Sequence, residues 1–367
     1  MKPDGDIILI TGSNGRIGSA VMRELRKTYS NVVGFDTKAP QQPPEGCTRI
    51  PVDITSDTSV TEGLTVLLAH HGARVASVIH LAAYYDFDGA PNPKYDEVTV
   101  NGTRRLLAGL KAGFEVQQFV FSSTMLVHKP GEPGIFFNED WPIAPSWAYP
   151  ESKVRTEALI RRERGDVPTV ILRLAGVYDD GCHSPPLSHQ MQRINERQLE
   201  SHLYSGSPSH GTSYVHMDDV VDAIARSVAK RATLPAETVL LIGEAEVLSY
   251  DELQHSFMRQ IHNESYEEFN VPGPVAKIGS WVEDKILGQK PFIKPWMIER
   301  ASDHYALDVS RAAETLDWVP QHALRETIPL MVSALKANPL SFYKENGLEP
   351  PEWMLANAEA TAREQVQ

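Results

Sequence analysis

A doubly wound α/β fold, built on a parallel sheet with a smaller C-terminal lobe, is predicted for this chain of 367 residues by three observations. Continuous apolar runs alternate with helically spaced segments through the first half. The first run ends in glycines spaced G-x-x-G-x-x-G, and the second ends in a lone carboxylate, Asp36. Uninterrupted apolar strands mark a sheet buried on both faces, and strand–helix alternation implies parallel strands joined by crossovers.

Taken in order, residues 6–11 read as a buried strand, 16–29 as a helix and 31–36 as a second strand. Residues 59–70 have helical spacing, 76–80 form a strand, 98–112 a helix and 116–122 a strand. A long helix at 148–164 leads into a strand at 169–174. Beyond Tyr178 the periodicity loosens, and residues 179–213 hold Ser, His, Gly and Pro. Residues 214–216, a helix at 218–230 and a strand at 238–242 return to the sheet. Residues 247–300 are helix-like but interrupted by Pro272, Pro274, Pro291 and Pro295. The main domain is therefore expected at 1–178, rejoined by 214–246, and the smaller lobe at 179–213 and 247–345. The tail at 346–367 has little apolar periodicity apart from Trp353, Met354 and Leu355, and reads as a loosely docked or partly disordered segment.

Composition narrows the function. Apolar residues make up 41%, enough for a sizeable core, and the net charge of −13 argues against a nucleic-acid partner because it repels phosphate backbones. The two cysteines, Cys47 and Cys182, form no C-x-x-C pair, which fits a reducing, cytoplasmic setting. The apolar run at 7–10 is short and preceded by acids, so it does not read as a signal peptide. No stretch approaches the ~20 apolar residues of a spanning helix, so no membrane partner is expected.

The first strand runs into Thr11-Gly12-Ser13-Asn14-Gly15-Arg16-Ile17-Gly18. Glycines at such a junction permit a tight turn and let backbone N–H groups approach a pyrophosphate at a positive helix N-terminus. Asp36, ending the next strand, accepts hydrogen bonds from a ribose diol and repels a 2′-phosphate, which favours NAD over NADP. Lys38 and Arg16 are nearby cations that keep NADP as the lesser reading. Tyr149-Pro150-Glu151-Ser152-Lys153 opens the long helix, and an i, i+4 pair shares one helical face. A cation beside a phenol favours phenolate, and such a phenol exchanges a proton with a carbinol while a hydride moves to nicotinamide. Ser122-Ser123-Thr124 ends the strand before it. A hydroxyl there either holds a substrate oxygen near Tyr149 or caps a turn.

Together these motifs resemble the extended short-chain dehydrogenase/reductase family, also called the NAD-dependent epimerase/dehydratase family. The resemblance covers roughly residues 6–335. It is carried by the segment from Thr11 to Gly18, Asp36, Val52-Asp53-Ile54, His80-Leu81-Ala82-Ala83, Asn101-Gly102-Thr103, the strand end at Ser122 to Thr124, Tyr149-x-x-x-Lys153, the segment from Arg173 to Tyr178, and Tyr214-Val215-His216-Met217-Asp218-Asp219-Val220. Asp308-Val309-Ser310-Arg311-Ala312 with Leu316-Asp317-Trp318-Val319-Pro320 completes it.

The resemblance implies a Rossmann-type sheet with Tyr149 as acid and base, Lys153 on the nicotinamide ribose, and Thr124 as a third catalytic hydroxyl with Ser123 close by. It implies that Gly12, Asn14, Gly15, Arg16, Ile17 and Gly18 hold the pyrophosphate and that Asp36 holds the ribose. Asp53 and Ile54 would touch adenine. Leu81, Ala82, Ala83, Asn101, Ser122, Leu174, Gly176 and Val177 would line or brace the rest of the cofactor. Tyr85, Thr124, Met125, Tyr178 and His183 are the expected substrate contacts. It also implies a homodimer packed through the helices carrying Leu106, Leu107 and Leu110 and residues 149–160, although that stripe can equally face the chain's own sheet.

Departures from the family pattern narrow this further. Met125 and Leu126 stand where dehydratases place Asp-Glu. Arg173-Leu174-Ala175-Gly176 replaces the Arg-Pro-Phe-Asn of nucleotide-sugar enzymes, and Gly211-Thr212-Ser213 lacks their arginine, with Arg193 or Arg197 as the available substitutes. The expected substrate is therefore a small hydroxy or keto compound rather than a typical nucleotide diphosphate sugar. Tyr84, Tyr85 and Phe87 can wall an apolar pocket or equally form a packed loop. His183, His189, His202, His210 and His216 show no metal-ligand spacing, so no metal is expected. The expected activity is a dehydrogenase or reductase. The alternatives are an epimerase with no net redox change and a non-catalytic dinucleotide sensor.

Overall fold

The computed structural model describes residues 5–37, 44–86, 89–204, 206–265, 269–270 and 300–356. Lys38, Phe87, the four prolines at 272, 274, 291 and 295, and the last residues of the tail lie outside them. The strands are β1 (Ile7–Thr11), β2 (Asn31–Asp36), β3 (Thr48–Pro51), β4 (Arg74–His80), β5 (Glu115–Val116), β6 (Phe119–Thr124), β7 (Phe136–Phe137), β8 (Thr169–Leu174), β9 (Gly176–Tyr178), β10 (Leu203–Tyr204), β11 (Tyr214–His216), β12 (Glu237–Ile242), β13 (Phe269–Asn270) and β14 (Ala306–Leu307). Helices α1 (Arg16–Arg26), α2 (Asp57–His71), α3 (Asn101–Gly113), α4 (Ala148–Glu163), α5 (Pro185–Asn195), α6 (Met217–Ala229) and α7 (Tyr250–His262) are followed by the helices Ser310–Leu316, Leu324–Ala337 and Pro339–Glu345.

The main sheet has the order β12-β8-β6-β4-β1-β2-β3, with β5 beside β4. Its pairings are all parallel. Every residue of β1 and of β8 is buried, as expected of strands covered on both faces. Alternation along β1 sorts its side chains by face. Ile8 and Ile10 join Val21, Met22 and Leu25 of α1 and Val220 and Ile224 of α6. Ile7 and Leu9 join Leu64 and Leu67 of α2, Leu106 of α3 and Ile160 of α4. The chain thus makes the doubly wound α/β sheet that its strand–helix alternation predicts.

Several boundaries move. The first helix ends at Arg26. The short β3 is a strand the sequence does not reveal, because four residues ending in proline carry little period. The helix expected from 98 begins at Asn101, after one turn of π-helix, Tyr95–Val100. The loosely patterned stretch after Tyr178 holds α5, which starts on Pro185 with its φ already suited to a first helical turn. Strand β11 does not rejoin the main sheet; it pairs with β9, and only β12 returns. A third apolar cluster gathers Tyr178, Leu187, Met191, Phe257 and Met331 away from the main sheet. In the tail, residues 352–356 are helical, with Met354 buried and Trp353 exposed.

The leucines expected at a dimer face are spent inside the chain: Leu106, Leu107 and Leu110 belong to the second core cluster. Around them, Arg104 pairs with Glu163, Arg105 with Asp57 and Arg155 with Asp96. No helix among the described residues is long and apolar enough to cross a membrane.

Candidate active site

Neighbouring parallel strands β1, β4 and β6 bring their carboxyl ends to one edge of the sheet, where a doubly wound fold binds its ligands. At the end of β1, Gly12 adopts φ +70°, and a Cβ there would lie 2.9 Å from the Ala82 backbone nitrogen. A Cβ on Gly18 would come within 2.2 Å of the Gly12 carbonyl oxygen. These glycines let the turn, the start of α1 and the segment after β4 close on one another. Gly15 precedes helix α1 with no side-chain cap on its first N–H groups. Beside it the Ser13 hydroxyl is buried without a partner among the described residues. An uncapped helix start, a cradle that admits no Cβ and an unsatisfied hydroxyl fit a dinucleotide's pyrophosphate.

Asp36 ends β2. Its Oδ2 accepts the Asn14 backbone N–H at 2.9 Å and its Oδ1 accepts the Thr37 backbone N–H at 2.8 Å. A residue that sequence reasoning missed supports the loop from below. Arg49 on β3 donates to the Ser13 carbonyl at 2.8 Å and to the Ser19 hydroxyl at 3.2 Å. Arg16 turns the other way, donating to the Glu345 carbonyl at 2.9 Å, so its guanidinium is not on the loop.

A hydrogen-bond chain ties this loop to β4. The Ala82 N–H donates to the Thr11 hydroxyl, which lies 2.7 Å from His80 Nδ1; His80 Nε2 lies 2.8 Å from the Thr103 hydroxyl, which donates to Thr99. The directions close only if His80 is neutral with its proton on Nε2. Burial, aided by the nearby Lys153 charge, lowers its pKa to about 3. Leu81, Ala82 and Ala83 follow, partly exposed at the sheet edge. Asp53 is exposed and turned onto Thr55. Ile54 is core instead, packed where a Cβ on Gly102 would meet it at 2.7 Å. The Asn101 side chain accepts from Arg104 rather than bracing the edge.

Tyr149 and Lys153 share one face of α4 as their spacing predicts. The phenol ring meets Tyr85 edge-on at 4.9 Å and Trp147 at 5.4 Å. The Thr124 hydroxyl accepts the Leu126 N–H at 3.3 Å, and its closeness to the phenol favours phenolate. Burial and Tyr85 nevertheless win and raise the Tyr149 pKa. This differs from the expectation that Lys153 lowers it. The Lys153 nitrogen donates to the Ser122 carbonyl at 2.7 Å and sits 5.8 Å from the phenol ring centre. Burial pulls the Lys153 pKa down to about 7, against the Glu157 charge.

The three hydroxyls of Ser122-Ser123-Thr124 separate by strand alternation. Of the three, only Thr124 bears on the Tyr149 phenol. The Ser122 hydroxyl lies 3.5 Å from the His80 carbonyl. Ser123 points into the core and donates to Glu157 at 2.6 Å, so it is not a catalytic hydroxyl in this geometry.

Four other expected contacts have side chains engaged inside the protein. Met125 and Leu174 are buried in the first core cluster. Tyr178 is 0% exposed, with its hydroxyl donating to Glu244 at 2.7 Å. His183 is committed to Asp179 at 2.7 Å, with Glu345 at 3.6 Å from its other nitrogen. Tyr85, 49% exposed, stays beside Tyr149. Gly176 and Val177 remain partly exposed at the end of the sheet. Of the substitute cations, Arg197 is bonded twice to Glu264. Arg300, which the sequence reading passed over, donates to the Ser146 carbonyl at 2.6 Å just ahead of Trp147.

His216, Asp218 and His322 form one cluster of metal-ligand types among the described residues. The two rings stack at 4.1 Å and 22°, and His216 Nδ1 already accepts the Asp218 N–H.

Comparison with known proteins decides the family. The profile of the NAD dependent epimerase/dehydratase family matches residues 8–243. The chain belongs to this family. Epimerase/dehydratase relatives include a probable low-salt glycan biosynthesis reductase of Haloferax volcanii, 36% identical over 46% of this chain and 53% of that protein. The chain therefore spans about half the length of that reductase. The dTDP-6-deoxy-L-talose 4-dehydrogenase (NAD(P)(+)) of Kitasatospora kifunensis is 23% identical over 91% of this chain and 97% of its own. The UDP-glucuronic acid 4-epimerase of Bacillus cereus, solved with UDP-glucuronic acid and NAD, shares the fold with a TM-score of 0.66. It is 21% identical and covers 90% of this chain and 99% of its own. The Bacillus cereus neighbour was solved with NAD bound.

Proposed function

We propose that this enzyme is an NAD-dependent oxidoreductase that transfers a hydride at a secondary alcohol or ketone carbon, with Tyr149 as acid and base. The observation that carries this reading is the half-buried Tyr149 phenol beside Thr124, with Lys153 on the same helical face 5.8 Å from the ring centre. NAD, when bound, supplies the hydride acceptor. The loop at 12–18 admits its pyrophosphate, Asp36 takes the ribose diol in preference to a 2′-phosphate, and Lys153 faces the nicotinamide ribose. Thr124 donates to the phenol oxygen and stabilises it as the proton leaves. Lys153, when protonated, favours the same charge state. Trp147 and Tyr85 hold the phenol and shield it from water. Residues 179–213 and 247–345 form the substrate lobe in this reading, and the substrate is a small free hydroxy or keto compound.

A nucleotide sugar is the second reading. The named substrates of the relatives favour it, as does Arg300, whose buried Nε has no partner among the described residues. Purified protein offered free hydroxy compounds and nucleotide sugars with NAD separates the cases. Net NADH formation marks a dehydrogenase, and isomer conversion without it marks an epimerase. Tyr149→Phe is expected to cost roughly 10²–10⁴-fold in kcat/KM with the fold intact. Turnover unchanged by that substitution overturns the reading.

A further inference from the structure

Behind Tyr149 and Lys153 lies a buried ionic network that the reaction itself does not use. Glu157 is one helical turn beyond Lys153 on α4 and is 2% exposed. Its Oε1 accepts from Ser123 at 2.6 Å and from Arg173 Nε at 3.1 Å; its Oε2 accepts from Arg173 Nη2 at 2.8 Å. Arg173 on β8 continues outward. Its Nη1 donates to His128 Nε2 and to the Glu139 carbonyl, both at 3.0 Å. His128 spends its other nitrogen on the Trp141 carbonyl at 2.9 Å, so it is a neutral ring accepting from Arg173. The network thus locks one anion in place across β6, α4 and β8.

Resting on the function proposed above, we propose that Glu157, clamped by Arg173 and Ser123, is a positioning residue that keeps the Lys153 ammonium charged and seated on the Ser122 carbonyl beneath Tyr149. A buried ammonium loses its hydration, and an anion at i+4 is the available compensation. Around Lys153 the other elements contribute little of that sign. His80 on β4 is neutral, Phe121 on β6 offers a ring face at 4.8 Å, and Tyr149, Tyr85 and Tyr95 are protonated phenols. Asp96, on the π-helical turn against α4, is engaged with Arg155 at the surface. Burial works against the Glu157 charge, but the bonds from Arg173 and Ser123 and the Arg173 charge hold it below the usual carboxylate range. The same clamp explains why Ser123 is turned from the cleft while its neighbour Thr124 faces it.

The test reads the lysine directly. The intact protein, without cofactor, is labelled with ¹³Cε-lysine and titrated by NMR, the Lys153 signal being assigned by its loss in Lys153→Arg. In Glu157→Gln the Lys153 midpoint is expected to fall by about one unit or more. In Glu157→Asp, which keeps the anion, it is expected to recover most of that shift. Ser123→Ala, which removes a bond but no charge, is expected to move it by less than about half as much. Because Glu157→Gln leaves Arg173 buried without its anion, the double variant E157Q/R173M is measured alongside. Glu157 is the charge acting on Lys153, so the midpoint is expected to fall there too. A midpoint unchanged in whichever of the two charge-deleted proteins folds overturns the proposal. NAD binding to the wild-type protein, followed separately, tells failure of the oxidoreductase reading from failure of this one, because the lysine titration needs neither cofactor nor substrate.

Discussion

At the carboxyl end of β1 the backbone makes the site, whereas at the carboxyl end of β9 side chains make the structure. Around Gly12 and Gly18 the chain approaches itself so closely that a single added carbon collides with main-chain atoms. Around Tyr178 the order comes from buried carboxylates. Glu244 accepts from Tyr178 and from the Leu324 N–H at 2.8 Å, and Asp219 accepts the N–H groups of Gln321 and His322, both at 3.0 Å. These bonds fasten the start of the helix Leu324–Ala337 to the region beside the sheet. The first arrangement is indifferent to pH but intolerant of bulk. The second tolerates changes of shape but depends on which protons are bound.

Gly18→Ala gives the sharpest contrast, because its Cβ meets backbone that cannot move aside. NAD affinity is expected to fall roughly 10- to 100-fold, measured by calorimetry, as overpacking costs about 1–3 kcal/mol. Unchanged affinity would show that the turn is looser than its geometry. On the other side, burial raises Glu244 to about 7. A carboxyl whose folded pKa lies above its unfolded one binds its proton more tightly when folded. Its stabilising contribution is therefore complete below about pH 4.5 and is lost as pH rises towards 7. The histidines His80, His128 and His189, lowered to about 3, 4 and 4, act in the opposite sense. Their contribution is lost as pH falls below about 6.5. The denaturation free energy of Glu244→Gln minus that of the wild type isolates the carboxyl. It is expected to grow by roughly 1–2 kcal/mol between pH 5 and 8, and a flat difference would break the contrast. The smallest effect is expected at Asp36→Ser, where severalfold weaker NAD binding and relatively stronger NADP binding should accompany an unchanged melting temperature.

The backbone-made end is the part legible in the sequence. A glycine triplet at the first strand–helix junction, a carboxylate ending the second strand and an i, i+4 Tyr–Lys pair are local patterns. Each needs only a period and an offset to be read. Ser123 and Thr124 were not separable that way. They are consecutive hydroxyls, and the sheet decides which faces Tyr149 and which faces Glu157. Glu157 and Arg173 stand on different elements, so their pairing exists only once α4 packs beside β6 and β8. Tyr178 and His183 looked like cleft residues from their place after β8, but Glu244 and Asp179, which claim them, do not advertise those contacts in the sequence. Arg49 was missed with its strand, and Arg300 with the irregular segment before it.

The strand order has a consequence for how the molecule is made. As the chain leaves the ribosome, β2 meets β1 and β3 meets β2. Then β4 adds on the opposite side of β1, followed by β6 on β4, β8 on β6 and β12 on β8. Each newcomer finds its neighbour already emerged. At the ordinary pace of synthesis, roughly 5–20 residues per second, the growing edge waits only seconds for its next strand, which limits the time an unpaired parallel edge stands open to other chains.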